Sequence, residues 1–362
     1  MSGRTHEFLA SRYPSIPVSV GLRYPWWRLV AASGAVVVVA LFAVSQGSAG
    51  IPIEDVVKIL VSRLPFVSIE ADWPSTWETI LWQLRWPRVV LAGIVGGALA
   101  TCGAAYQGLF KNPLADPYLI GVASGAGLGA TIVLVSGVPL FVVGISVLPA
   151  AAFAGGMVAV VMAYIIARQA SGTALTTLRL AGVAIASLAG AVISLLMIRS
   201  DPDIRPVLSW LLGGFISARW SHSAFVLAYL LPAALTFAAY GRILNVLQLD
   251  EDHAAQLGVN VERAKLLLVA SATLGTAAAV SFSGLIGFVG LVAPHVVRLA
   301  WGGDYRFLLP MSALVGAGFL ILADLVARTI VTPAELPVGI VTAFCGAPFF
   351  LYLLRKIGRA HV

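Results

Sequence analysis

Asp324 and His295 are the ionisable residues lying deepest within apolar stretches of this 362-residue chain. A carboxylate and a histidine inside a membrane are the pairing that relays protons. Arg328 stands four residues after Asp324, however, so a one-turn helix ion pair competes with a relay. His295 follows Pro294 and precedes Arg298 near the end of its stretch, where an interfacial histidine is equally at home. A second concentration of charge is Leu249-Asp250-Glu251-Asp252-His253-Ala254-Ala255-Gln256-Leu257-Gly258. Acids in the first turn suit the helix dipole and a final glycine suits a left-handed stop, so the run predicts a short capped helix. Ala254 and Leu257, three apart, share a face that could rest in a groove on a partner. Arg85, Arg88 and Arg328 are fixed cations able to grip a carboxylate with two hydrogen bonds, or to snorkel toward lipid headgroups.

Other chemistry is excluded. Cys102 and Cys345 both sit in apolar runs, so no disulfide framework or thiolate metal site is available. The chain contains no G-x-x-x-x-G-K-S/T, no H-E-x-x-H and no G-x-S-x-G, so no catalytic residue and no metal ligand is assigned. The net charge of +7 comes from basic residues scattered singly between apolar runs, which argues against nucleic-acid binding.

The elements that must position these residues follow from composition. The chain is 59% hydrophobic and 11% charged, less than half the charge of a soluble domain. Pro117 to Ala167 holds no Asp, Glu, Lys, Arg or His. The bilayer is the natural solvent for such a run. Ten spans are predicted, at about 29–44, 89–110, 117–136, 142–167, 178–198, 222–241, 264–282, 285–300, 307–327 and 337–354. Backbone amides in lipid must be paired internally, so the spans are helices and the fold is all-α. The first could also be read as a signal peptide, but its long charged lead and the spans that follow favour an uncleaved helix. An amphipathic piece at Ile53–Leu64 and nearby tryptophans mark an interface, and 206–218 is too short to cross. Small residues four apart (Gly121, Gly125, Gly129; Gly182, Ala186, Gly190) allow helices to approach closely. With the N-terminus inside, 15 of the 23 Lys and Arg fall on the cytoplasmic side and 8 outside. The acids divide 7 inside, 8 outside and one within a span. Net charge is then +8 inside and 0 outside, so both termini are placed in the cytoplasm. Residues 1–28 form a cytoplasmic segment and 29–357 the membrane domain, with a polar insertion at 244–263.

Arg85-Trp86-Pro87-Arg88, then Gln107-Gly108-Leu109-Phe110-Lys111-Asn112-Pro113-Leu114-Ala115-Asp116-Pro117 and Leu119-Ile120-Gly121-Val122-Ala123-Ser124-Gly125-Ala126 resemble the FecCD family of permease subunits. So do Ser283-Gly284-Leu285-Ile286-Gly287-Phe288-Val289-Gly290-Leu291-Val292-Ala293-Pro294-His295, Ala334-Glu335-Leu336-Pro337-Val338-Gly339-Ile340-Val341-Thr342-Ala343 and Gly346-Ala347-Pro348-Phe349-Phe350. The resemblance covers roughly 80–357. A short echo of Leu119-Ile120-Gly121-Val122 in Leu285-Ile286-Gly287-Phe288 would fit inverted repeats.

This resemblance implies the type II ABC importer fold and a multi-pass protein of the bacterial cytoplasmic (inner) membrane. Its implied partners are a second copy of the chain, two ATP-binding cassette subunits that carry ATP and Mg, a substrate-binding protein and the lipid bilayer, with no cofactor in this chain. It places Arg85, Arg88 and Arg328 at a docking surface for acidic residues of the binding protein. It places Asn112, Leu114 and Thr176 at a cytoplasmic gate, although Asn112 before Pro113 is also a plain turn signal. Asp250, Glu251, Ala254, Leu257 and Gly258 match its Glu-x-x-Ala-x-x-Leu-Gly coupling helix, with Asp250 where glycine is common. The implied cargo is a metal chelate (haem, ferric siderophore or corrinoid), with iron chelates the larger share. The alternatives are a proton-coupled carrier using Asp324 and a non-transporting sensor or scaffold.

Overall fold

The computed structural model describes residues 25–47, 50–63, 72–142, 145–169, 174–199, 204–249, 251–331 and 333–359. Most of the expected cytoplasmic segment, 1–28, and Asp250 of the polar insertion lie outside the described residues.

Glycine and alanine decide which helix is central. Helix α1 is Trp26–Ser45, α2 is Ile53–Val61 and α3 is Ser75–Leu109. Eighteen residues of α3 beyond Trp86 are buried, because its many small side chains let neighbours close in from every side. Inside lipid no hydrophobic force drives helices together, so van der Waals contact at such close crossings supplies the packing. The wall around α3 consists of α8 (Trp220–Leu247), α10 (Val261–Ser283), α11 (Val289–Trp301) and α12 (Tyr305–Thr329). Gly96 crosses Gly316 of α12, and Gly103 crosses Gly290 of α11, so closely that a methyl group at either would collide with the facing carbonyl. A second layer holds α4 (Val122–Ser136), α5 (Val147–Gln169) and α6 (Ala174–Arg199). Of the expected small-residue stripe, Gly125 and Gly129 meet α5 at Gly155 and Ala151, and Gly182 meets Ile120. Nothing faces Gly190. The remaining helices are α7 (Arg205–Leu212), α9 (Glu251–Gln256) and α13 (Val338–Arg359).

The ten expected spans correspond to seven helices long and apolar enough to cross, plus three shorter apolar ones. Two expectations are corrected. The spans placed at 117–136 and 285–300 are helical only from Val122 and Val289, each preceded by irregular backbone. Unpaired amides at that depth would be costly, and segments distant in the chain supply their partners. Tyr118 donates its hydroxyl to the Ile286 carbonyl at 2.9 Å and accepts from the Ile286 N–H at 3.2 Å. Gly214 N–H bonds the Ser283 carbonyl at 2.8 Å, and Val338 N–H bonds the Gly213 carbonyl at 2.9 Å. The two echoed segments of sequence are therefore the two irregular leads into shortened helices. In the α4–α5 connection, β1 (Phe141–Val142) pairs antiparallel with β2 (Ile145–Ser146), which the sequence reading did not anticipate.

Candidate functional site

Charge gathers at both ends of the bundle. On the N-inside topology, the outer end holds Arg85 and Arg88 from α3, Asp324 and Arg328 from α12, and Glu335 from the turn before α13. Proline sets the local geometry of α3. Pro87 has no N–H for an α-helical bond, and Ile80–Arg85 just before it widen into π-helix, with Trp86 N–H bonding the Leu81 carbonyl five residues back. Arg88 then splits its guanidinium between two acids. Its Nε reaches the Asp324 oxygens at 3.0 and 3.1 Å and its NH2 reaches Oδ1 at 2.9 Å. Its NH1 reaches Glu335 at 3.1 and 2.9 Å. The Asp324 side chain is 1% exposed and that of Glu335 34%.

The other two arginines bind the end of α1. Arg85 NH1 donates to the Val44 and Ser45 carbonyls at 3.0 and 3.1 Å. Arg328 donates to the Gln46 carbonyl at 2.8 Å and to that of Ala43. A helix C-terminus presents unpaired carbonyls and partial negative charge, so two cations there hold α1 against α3 and α12. All three arginines thus come together, with their charged ends turned inward. Arg328 also lies 3.7 Å from Asp324, the pair its spacing predicts. The closer partner, Arg88, is 236 residues away and carries no sequence signal. Asp324 therefore sits in an ion-pair network with both oxygens engaged, which does not fit a freely exchanging proton carrier. His295 is buried against Phe349 with neither ring nitrogen bonded.

At the inner end, α9 is short and ends as its sequence requires. Val259 N–H bonds the Ala254 carbonyl at 3.1 Å and Gly258 N–H that of Ala255 at 2.9 Å, with Gly258 at φ +82°. This 6→1 plus 5→2 pair is a Schellman stop. Ala254 and Leu257 do not share a partner-facing surface. Ala254 is fully buried against the bundle, whereas Leu257 is 66% exposed. Glu251 is tied to Lys265 of α10 at 2.5 Å. Asp304 caps α12 and also accepts from Asn245 Nδ2 at 2.7 Å. The Arg306 side chain, then Asn245 and the Arg306 amide, hold the Asp304 carboxyl down at about 2.

Of the three residues expected at a gate, Asn112 and Leu114 occupy the turn after α3. Asn112 Oδ1 accepts from Leu114 N–H at 2.9 Å, and Asn112 N–H bonds the Gln107 carbonyl at 3.1 Å. Thr176 is exposed in the first turn of α6, and Arg179 one turn on lies over the Phe110 ring at 5.8 Å. Sequence reasoning missed the link from this turn to the α9 segment. Lys111 Nζ donates to the Leu249 carbonyl, and Gln248 Nε2 to that of Gly108 at 2.9 Å.

Residues 35–356 match the FecCD transport family. The chain belongs to that family. It is 49% identical over 282 residues to the cobalamin import system permease protein of Halobacterium salinarum, covering 78% of this chain and 75% of that one. It is 41% identical over 297 residues to the hemin transport system permease protein of Yersinia pestis, covering 80% and 88%. Among solved structures, it is similar to a transporter assigned to the metal-chelate type of ABC transporters, in an inward-facing conformation. That likeness has 30% identity and a TM-score of 0.77, covering 91% of this chain and 98% of that one. This FecCD chain is a multi-pass permease subunit of an ABC importer in the cytoplasmic membrane.

Proposed function

We propose that two copies of this permease form an importer for a corrinoid, driven by two ATP-binding cassette subunits that dock on α9 and carry ATP and Mg themselves. A substrate-binding protein delivers the cargo to the outer ionic cluster, its acidic side chains answering Arg88, with Arg85 and Arg328 beside it. Asn112, Leu114 and Thr176 form the cytoplasmic gate. Glu251 fixes α9 through Lys265, Gly258 ends it, Ala254 anchors it, and Asp250 belongs to the same segment. The observation that carries the coupling role is Leu257, a large apolar side chain left 66% exposed in the turn that ends α9, outside the spans. An apolar side chain projecting beside a short helix is the kind of anchor that a hydrophobic groove on a partner receives. Closure of the ATP-binding subunits would move α9 and switch a bundle with two packed arrangements.

The corrinoid is proposed from one relative, the halobacterial cobalamin permease at 49% identity; the hemin permease and the bacterial vitamin B12 permeases stand alike at 40–41%. The test is uptake in liposomes holding the permease, its ATP-binding subunit and the binding protein. ATP should drive labelled cyanocobalamin inward and leave hemin outside. Hemin uptake alone would reverse the substrate, and uptake driven by a pH gradient without ATP would overturn the coupling.

A further inference from the structure

Among the described residues, the outer ionic cluster is one anion short. Arg85, Arg88 and Arg328 bring three permanent positive charges, and the acids paired with them are Asp324 and Glu335. The α1 carbonyls compensate Arg85 and Arg328 only with partial charge. The shortfall is visible in the geometry: Arg85 NH2 and Arg328 Nε are buried without a hydrogen-bond partner among the described residues. A buried, unbonded guanidinium donor is costly and calls for an acceptor.

The two acids are not equivalent. Asp324 is 1% exposed, lies inside α12 and closes the Nε–NH2 edge of Arg88. Glu335 is 34% exposed and lies on the irregular turn that leads into α13, where it closes the NH1 edge. A partly exposed carboxylate regains most of its hydration when released, so its bond to Arg88 is the exchangeable one. We propose that Glu335 is an internal stand-in for a carboxylate of the docking protein. An incoming Asp or Glu takes its place on Arg88 and frees the turn before α13.

This rests on the reading above that a binding protein docks at the cluster. Exchange differs from simple addition, because it links docking to movement. Behind the pair lies a cavity of about 330 Å³, lined in part by Trp210, Gly213, Ser283 and Val338, with Arg88 and Glu335 among its walls. Once Glu335 leaves, the turn is still tied by the backbone bonds of Leu336 N–H to the Ala327 carbonyl and Val338 N–H to the Gly213 carbonyl, both 2.9 Å. Glu335 is thus a positioning residue: it holds the outer turn shut until a partner's carboxylate replaces it.

The experiment uses the permease with its ATP-binding subunit in nanodiscs, and two readouts. Binding-protein affinity is measured for wild type, Glu335→Gln, Glu335→Asp and Arg88→Gln. Cavity opening is read as labelling of Ser283→Cys, a site 1% exposed, by a membrane-impermeant maleimide in a Cys345→Ser background. Glu335→Gln should strengthen binding about threefold or more, since the internal competitor loses its charge, and should label quickly without partner. Arg88→Gln should weaken binding about tenfold or more. Glu335→Asp, shorter by one methylene, should fall between wild type and Gln, and wild type should label faster only when the partner is added. Unchanged affinity in Arg88→Gln would sink the docking reading. Weakened binding in Arg88→Gln with unchanged or weaker binding in Glu335→Gln would overturn the stand-in role alone, as would labelling that ignores both the partner and Glu335.

Discussion

Lys111 donates its ammonium group to the carbonyl of Leu249, 138 residues further along the chain. That bond ties the turn after α3, where Asn112 and Leu114 of the proposed gate lie, to the segment that carries α9. Gln248 doubles the tie by bonding the Gly108 carbonyl, while also bonding the Leu244 carbonyl at 3.0 Å. Lys111 holds φ at +48°, a left-handed backbone that a non-glycine residue adopts at a cost. A conformation kept at such cost, between the turn and the segment proposed to couple, suits a mechanical link.

Removing this link should separate ATP hydrolysis from transport. Each bond is worth about 1–3 kcal/mol, and about 1.4 kcal/mol is tenfold. Lys111→Met with Gln248→Ala is expected to lower cargo moved per ATP about tenfold while the complex still assembles and hydrolyses ATP. Measuring both rates in the same liposomes checks it.

Leu257→Arg should abolish association with the ATP-binding subunit in a pull-down. Burying a leucine on a partner contributes about 1.5–3 kcal/mol, and an unpaired arginine in an apolar groove costs more. Because Leu257 is exposed in the permease itself, thermal stability should stay within about 0.5 kcal/mol of wild type. Ala254→Arg should act differently. That side chain is fully buried, so the substitution should destabilise the permease before any partner is added.

Asp304 predicts a pH dependence. Its folded carboxyl titrates near 2, below the ordinary value of 3.8, chiefly through Arg306. A depressed carboxyl stabilises the folded state above its unfolded value, and that contribution disappears as pH falls toward the folded one. Wild type should therefore lose stability between about pH 4 and pH 2, and Asp304→Asn should flatten that part of the curve. Thermal unfolding in detergent as a function of pH reads both.

Glycines of one stripe should separate sharply. Gly129→Ala would drive a methyl into the Ala151 carbonyl of α5 and is expected to cost about 1–3 kcal/mol. Gly190→Ala faces open space within the subunit and lies in a helix, where alanine gains about 0.5–1 kcal/mol. Melting temperatures of the two variants in the same detergent make the comparison.

Much was legible in the sequence, for a physical reason. Hydropathy is summed over neighbouring residues, so the places of the ten apolar helices, the all-α class and the polar insertion follow from the order of residues alone. The Schellman stop at Gly258 is equally local. Family membership was legible because long motifs recur in order. The tertiary structure decided whatever depends on residues far apart in the chain. Only folding brings Arg88 to both Asp324 and Glu335, lays Arg85 and Arg328 on the end of α1, and bonds Lys111 to Leu249. It also decided that Ala254 is an anchor while Leu257 projects, because a shared helix face does not say which part of it the bundle covers. The two shortened helices were hidden for the same reason: irregular backbone survives in lipid only where remote groups, here Tyr118 for Ile286, pair its amides.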